Sequence, residues 1–382
     1  MKFFKIFSAG LAMFAMLFGA GNIVFPLALG RDTGDMVWYA LFGFIITATI
    51  VPLIGLISAN LADGDYKKLF KLIGRVPGSI AIFMCLLLIG PFAIIPRCIT
   101  VSHSAVSYYV PWISLFTFSL LAAATIFLFT FKQSAVIDII GRFLGPLKLT
   151  LLLSIVLFGL YWSATPPHFD ISPSDSFFRG LIDGYWTLDL LATIFFSTLI
   201  FSGLKRSMNL STKKQQMIVG LQAGAIGAIL LAVVYAGFCI VAAMYAPALQ
   251  GINDRSKILT VLASIILGPQ AGILANITVA VACLTTSVAL TAVFTDYLQT
   301  EIFKNKVQYL VCLGVTIGIT TVMANLGFEK IMNLIAPIVI TCYPALIMLA
   351  LVNIGHQLWG WRSVKLPVAF TLAATLLVKY LW

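Results

Sequence analysis

Charge is what this 382-residue sequence has least of: Asp, Glu, Lys and Arg together make up 10% of it, and only 13 residues are acidic. A water-facing surface carries roughly a quarter charged residues, so a soluble globular domain is excluded. Histidine is scarce, with His103, His168 and His356 spread along the chain. A histidine-based metal centre or acid–base catalyst therefore has nothing to be built from. The cysteines Cys85, Cys98, Cys239, Cys283, Cys312 and Cys342 form no C-x-x-C pair and lie inside apolar runs. Zinc ligation and a disulfide framework fall away, leaving small apolar core residues. No enzymatic activity and no organic or metal cofactor is expected. The net charge of +11 is not gathered into a basic domain, so no nucleic-acid partner is expected either.

What is there in abundance is apolar sequence, 61% of the chain. Runs long enough to cross a bilayer, about 20 residues each, are read at about 5–29, 37–60, 78–105, 112–131, 146–164, 181–203, 217–246, 270–297, 308–324, 331–354 and 366–382. The fold class is an all-α polytopic membrane protein of about eleven spans, with the lipid bilayer as its first partner. The shorter stretch 256–267, "SKILTVLASIIL", is expected to lie as a helix on the outer surface. "MKFFKIFSAGLAMFAMLFGAG" also has the look of a secretory signal, but apolar character resumes at once in "NIVFPLALG", which favours a retained first span. With the N-terminus in the cytoplasm, seventeen Lys and Arg fall on the inside, Lys148 among them, against Arg31, Arg179, Arg255, Lys257 and Lys330 outside. That bias is the positive-inside pattern.

The most polar linker, "SATPPHFDISPSDSFFRG" at 163–180, follows the fifth span and divides ten spans into two groups of five. An odd number per group turns the second group upside down relative to the first, which is the inverted-repeat plan of many secondary transporters. The chain is thus read as one transporter domain, 1–382, with repeats at about 5–164 and 181–354 and an extra C-terminal helix at about 366–382. The first span of each repeat carries helix-weakening polar residues near its middle, "FGAGN" at 18–22 and "GYWTLDLLAT" at 184–193.

An unwound stretch in lipid leaves backbone groups unsatisfied at several kcal/mol each unless protein, water or ligand takes them. Gly19, Gly21 and Asn22 mark such a stretch, although glycines also serve close helix packing. Asp189 is the one acid deep in a span, where insertion scales put a charge at about 2.5–3.5 kcal/mol. It reads either as a ligand for a substrate ammonium or as the partner of Arg97 in an ion pair or gate. Thr285 and Thr286, in "ACLTTSVAL", either bond back to their own helix or, with the carbonyl of Ala282, offer oxygens to a hard alkali cation.

At these residues the chain resembles the branched-chain amino acid:cation symporters, the BrnQ-type carriers of bacteria. "LFGAGNIVFPLALG", "GPFAIIPRCITVS", "GYWTLDLLA" and "ACLTTSVAL" are similar to that family's first-, third-, sixth- and eighth-helix segments, in order, over residues 1 to about 350. The resemblance implies a LeuT-type five-plus-five inverted repeat with broken first and sixth helices. It implies uptake of leucine, isoleucine and valine across the bacterial cytoplasmic (inner) membrane by alternating access, coupled to sodium or less often to protons. By that resemblance the carbonyls of Ala15 and Phe18 join Ala282, Thr285 and Thr286 around a sodium ion. The amides of Ala20 and Gly21, next to Gly19, meet the substrate carboxylate; Asn22 serves a second cation position or braces the break; Asp189 faces the ammonium. Relatives usually run longer, with twelve spans, and Cys98 and His103 stand where smaller or differently polar residues are expected. A proton-coupled carrier of another small apolar amino acid and an ion channel are the competing expectations, and no oligomeric state is implied.

Overall fold

The computed structural model describes residues 2–131, 145–162, 165–208 and 212–381. Apolar runs in lipid must satisfy their backbone groups within the segment, and the described residues accordingly form helices and no strand. Helix α1 (Lys2–Leu17) stops two residues short of α2 (Ala20–Thr33), which passes through a turn at Gly34–Met36 into α3 (Val37–Ile45) and α4 (Val51–Leu61). The short α5 (Tyr66–Lys71) precedes α6 (Arg75–Leu87), which continues through a π turn at Leu88–Phe92 into α7 (Ile94–Ser107); α8 (Leu115–Thr130) and α9 (Gly145–Tyr161) follow. The second half repeats the opening: α10 (Pro173–Tyr185) stops three residues short of α11 (Asp189–Met208). Then come α12 (Lys213–Met244), the single turn α13 (Ala246–Leu249), α14 (Ile258–Tyr297), α15 (Tyr309–Ala324), α16 (Phe328–Trp359) and α17 (Lys365–Leu381).

Ala20–Leu61, Arg75–Ser107, Gln215–Met244, Gln270–Ile302 and Phe328–Trp359 are long and apolar enough to cross a bilayer, with shorter apolar helices between them. Large apolar side chains stand exposed along α8, Phe116, Leu121, Leu128 and Phe129 among them. A lipid-facing surface accounts for them; water would not. The chain is a multi-pass membrane protein.

The packing exchanges partners between the halves. The broken helix of the first half, α1 and α2, lies along α12, the second span of the other half; the broken helix of the second half, α10 and α11, lies along α3 and α4, the second span of the first. Spans of equal rank meet as well, α7 on α14 and α8 on α15. Each of these relations maps onto another when the halves are swapped, as a two-fold relation between inverted repeats requires. Glycines let the exchanged backbones touch: a Cβ on Gly30 of α2 would sit 1.9 Å from Cys239 O of α12, and one on Gly180 of α10 would sit 1.9 Å from Ala40 O of α3. Small residues at helix crossings in lipid have this use.

Two expectations need correction. Residues 256–267 are largely a short helix, as expected, set off from the rest of α14 by Gly268 (φ 74°), but one face is packed into the protein, with Ile258, Leu262 and Ala263 fully buried while Ile265 stays exposed. A strongly apolar segment next to a bend can be covered by its neighbours without being long enough to span. Lys148, counted among the inside loop charges, is a buried residue in the first turn of α9. Lys132 and Arg142 from the same count lie outside the described residues.

Candidate functional site

The first break is made by Phe18 and Gly19. Phe18 N still donates to Phe14 O at 2.9 Å, ending α1, and Gly19 N donates to Asn22 Oδ1 at 2.8 Å, starting α2. Asn22 thus caps the second half-helix from inside its own first turn, a variation on the capping box. With no helical donor left beyond this point, carbonyls at the end of α1 turn to other partners.

The second break is made by Trp186, Thr187 and Leu188. Leu188 has φ 60°, in the left-handed region, and is fully buried. Thr187 Oγ1 donates to Gly184 O at 2.9 Å, and Leu190 N donates to the hydroxyl of Tyr343 at 3.2 Å, so side chains replace the lost helical bonds.

The two breaks meet. Asn22 Nδ2 donates to both carboxylate oxygens of Asp189, at 2.8 and 2.7 Å, and contacts the hydroxyl of Tyr235, which itself donates to Asp189 Oδ2 at 2.6 Å. Asp189 stands in the first turn of α11, where the positive end of the helix dipole favours a carboxylate. The expected substrate residues Gly19, Ala20, Gly21, Asn22 and Asp189 are therefore neighbours. The arrangement gives Asp189 protein partners on both oxygens. The Ala20 amide lies against the thiol of Cys98. A Cβ on Gly21 would be 3.3 Å from Trp186 O and from Thr187 Cα, so Gly21 brings the second break against the first.

Arg97, fully buried, donates to Trp186 O at 2.8 Å, approaches Met332 Sδ at 3.5 Å and stands 5.7 Å from the centre of the Phe25 ring. Its Nε and the second terminal nitrogen have no described partner. Arg97 and Asp189 hold the same break from different groups, carbonyl and carboxylate, and no direct ion pair between them is among the described bridges.

Of the expected cation residues, Ala15, Phe18, Ala282 and Thr286 come together, with one addition, while Thr285 keeps to its own helix. Thr286 Oγ1 reaches Phe18 O at 3.4 Å and Ala282 O at 3.3 Å, joining α14 to the first break. Thr285 Oγ1 only bonds back to Ala282 O at 2.8 Å. The addition is Lys148, whose Nζ donates to Ala15 O at 3.4 Å and, more closely, to Phe18 O. Beyond Cys98 and Ser287 an apolar cavity of about 230 Å³ runs between α7, α8 and α14 towards exposed Leu121.

Sequence reasoning missed Lys148, Tyr235, Tyr343 and Leu188. Lys148 carried a signal: in "GPLKLTLLLS" it is flanked by apolar residues, but its nearness to the start of a span made it look like a loop charge. The hydroxyls of Tyr235 and Tyr343 sit in apolar runs, where a buried Tyr usually needs a hydrogen-bond partner. Leu188 gave none, because no residue type announces a left-handed leucine.

Over residues 2–381 the chain matches the family described as branched-chain amino acid transport protein. The branched-chain amino acid permease BrnQ of Bacillus subtilis (strain 168) is 34% identical over 364 residues, covering 93% of this chain and 82% of that protein. The branched-chain amino acid transport system 3 carrier protein of Pseudomonas aeruginosa is 29% identical, covering 93% and 81%. Among solved structures, the inward-facing conformation of Mhp1 superposes with a TM-score of 0.68 at 12% identity, covering 92% of this chain and 77% of that one. MhsT in complex with L-phenylalanine gives 0.58 at 17% identity, covering 98% and 97%. These neighbours are LeuT-fold transporters, and the fold of the present chain is theirs. With two broken helices meeting at Asn22 and Asp189 inside that fold, the chain belongs to the branched-chain amino acid transport protein family.

Proposed function

We propose that the chain imports leucine, isoleucine and valine in symport with a monovalent cation by alternating access, from a bacterial inner membrane with its N-terminus in the cytoplasm. The observation that carries this reading is the meeting of the two breaks: amide ends of two half-helices and the carbonyl end of a third lie around Asn22, Asp189 and Phe18. Unwound ends of this kind can bind a zwitterion and a cation together. The substrate carboxylate goes to the amides of Ala20 and Gly21 beside Gly19, and its ammonium to Asp189, once the Asn22–Asp189 bonds open to admit it. The names of the Bacillus and Pseudomonas relatives support a branched aliphatic side chain. The cavity beginning at Cys98 and Ser287 supplies apolar surface next to the break. One methylene in such a pocket is worth about 1–3 kcal/mol, so the three substrates compete.

Ala15, Phe18, Ala282, Thr285 and Thr286 form the cation position. Sodium is the ion expected there from the resemblance; a proton carried by a side chain is the second reading, favoured by the presence of Lys148. A zwitterion brings no net charge, so each cation makes the cycle electrogenic, and 100 mV supplies about 2.3 kcal/mol per charge, enough for a roughly 40-fold gradient. Labelled-leucine uptake into proteoliposomes, with sodium, proton and potential gradients imposed one at a time, tests the reading. Uptake driven by at least one gradient and competed by isoleucine and valine is expected; indifference to all three would overturn symport, and single-channel currents would replace it with a channel.

A further inference from the structure

Away from the two breaks, the helix ends at one face of the bundle build a second cavity. Helix α5 ends at Lys71, the chain turns at Gly74 (φ 117°), and α6 begins at Arg75. Leu69 and Phe70 are fully buried beneath this corner. A Cβ on Gly78 of α6 would stand 2.4 Å from Phe70 O, so the two helices are pressed together and the corner has a fixed shape. The π turn Leu298–Ile302, which continues α14, closes the other side. Between them lies a cavity of about 640 Å³, within the roughly 300–1,000 Å³ of ordinary ligand sites.

Four cations line it, Lys67, Lys71, Arg75 and Lys304, against one acid, Glu301. That acid is already engaged: Lys67 Nζ donates to Glu301 Oε1 at 2.6 Å, and Lys304 Nζ stands 3.7 Å from Oε2. Of the neighbouring acids, Asp63 pairs with Lys68 and Asp65 accepts from the amide of Lys67. Lys71 and Arg75 have no ion pair among the described residues. A concave wall carrying one sign of charge focuses the field into the cavity and draws in an anion.

The position of the cavity says which anion. It lies where Arg75 opens one membrane-crossing segment, Arg75–Ser107, and Ile302 closes another, Gln270–Ile302. This is the membrane face that the charge bias assigns to the cytoplasm. Beside the cavity-lining Arg75 and Ser79, the next face of α6 presents Val76 and Ile80, 68% and 59% exposed, and Ile302 on the cavity wall is 45% exposed. A basic pocket thus runs directly into apolar surface of the kind that lipid covers. A soluble phosphate would use the cations and leave that surface bare; a phospholipid uses both. Basic pockets between spans on the cytoplasmic side have this use.

We propose that the cavity binds an anionic phospholipid, with the phosphodiester between Lys71 and Arg75 and an acyl chain along Val76 and Ile80. The bound phosphate offsets the repulsion among the gathered cations and, through Lys304, ties α6 to the end of α14. The site is separate from the substrate and ion positions, so it stands whichever cation drives transport.

The test uses the purified full chain in non-ionic detergent, with native mass spectrometry to count bound lipid and the melting temperature to follow its effect. Phosphatidylglycerol is compared with phosphatidylcholine of the same acyl chains and with glycerol phosphate, which has the anion without the chains. Phosphatidylglycerol is expected to bind saturably and raise the melting temperature, while the other two at the same concentrations do neither. One cation near a lipid surface is worth about fivefold in affinity, so Lys71→Gln with Arg75→Gln should weaken phosphatidylglycerol binding about 25-fold. Arg362→Gln with Lys365→Gln removes the same charge from exposed positions outside the cavity and should change binding little. An equal loss in this second pair would mean general attraction to a basic membrane face and would overturn the site. Equal binding of the two lipids would do the same without any variant. Stabilisation by glycerol phosphate as large as that by phosphatidylglycerol would also overturn the proposal, by making the cavity a site for a soluble anion.

Discussion

Between Leu17 and Ala20 the chain interrupts a helix with Gly19 in an extended conformation, φ −116° and ψ −159°, that any residue can adopt; between Tyr185 and Asp189 it does so with Leu188 at φ 60° and no glycine. The glycines of the first break are there for room. A Cβ on Gly19 would stand 3.2 Å from Thr286 Cγ2, and one on Gly21 would press on the backbone of the second break. The second break carries strain of about 1–2 kcal/mol for a left-handed leucine, held by full burial and by Tyr343. Their charges differ in the same complementary way, with Lys148 at the carbonyl end of α1 and Asp189 at the amide end of α11. Each of these two half-helix ends thus receives the charge its dipole favours, so the pair of breaks forms one charged joint.

The largest predicted effect breaks that joint at Asp189. In Asp189→Asn an amide replaces one acceptor oxygen and sets donor against donor at Asn22; burying an unpaired polar group costs about 1–3 kcal/mol, and losing the carboxylate at the helix end adds to it. Initial rates of leucine uptake should fall by about a hundredfold or more. Because Arg97 bonds to Trp186 O and not to Asp189, a second change at Arg97 should not restore uptake; a rescued double variant would show that the two residues act as an ion pair after all.

Crowding comes next. Gly21→Val forces a branched side chain against Trp186 O and Thr187, backbone atoms that cannot swing aside, and overpacking of this kind costs about 1–3 kcal/mol. Uptake should drop about tenfold, while Gly19→Ala, whose one tight contact is a side-chain methyl of Thr286, should be milder. Equal effects would mean that the first break needs glycine for conformation and not for room. Smaller again is the contrast within the threonine pair. Thr286→Ala removes the contact between α14 and the first break, worth about 1 kcal/mol or roughly fivefold in cation activation. Thr285→Ala removes a bond within one helix and should leave the activation curve in place; measuring both against the driving cation decides it.

How much of this was legible depended on whether a feature is written in residue type or in approach. The apolar runs, the polar linker at 163–180 and the glycines at 19 and 21 are compositional, and they gave the class of fold and the position of the first break. Asp189 stood out because an acid deep in lipid is costly. The meaning of Gly21 was not legible, since its use depends on which backbone arrives opposite. Nor was Thr286 separable from Thr285: adjacent residues on a helix point about 100° apart, and only the position of α1 decides which one faces the break. Lys148 was visible but misassigned, because a charge near a span end is usually solvated. Residues 256–267 were too short for a span, and nothing in their composition reported the cover provided by neighbouring helices.

The smallest expected effect lies outside the joint and serves as its control. Asp35, in the turn after α2, accepts a bond from His168 Nδ1 at 2.6 Å and one from Phe169 N at 3.2 Å, while its own N–H donates to Pro167 O at 3.1 Å, pinning the polar linker to the turn. The bond to His168 holds the Asp35 carboxyl below its ordinary 3.8, and the bond to Asp35 raises the His168 imidazole above its ordinary 6.5. A raised imidazole contributes fully below its unfolded value and loses the contribution as pH rises through the folded one. A lowered carboxyl contributes above its unfolded value and loses it as pH falls through the folded one. The pin is therefore strongest in mildly acidic solution, from just above the carboxylate range to near 6.5, and fades on either side. His168 is solvent-exposed and Asp35 partly so, where such pairs contribute little, so the melting temperature of the purified protein should decline only slightly as pH rises past that window. His168→Ala should remove that decline and leave leucine uptake nearly unchanged. A loss of uptake as deep as that of Gly21→Val would mean that the linker at 163–180, and not only the meeting of the two breaks, controls access to the site.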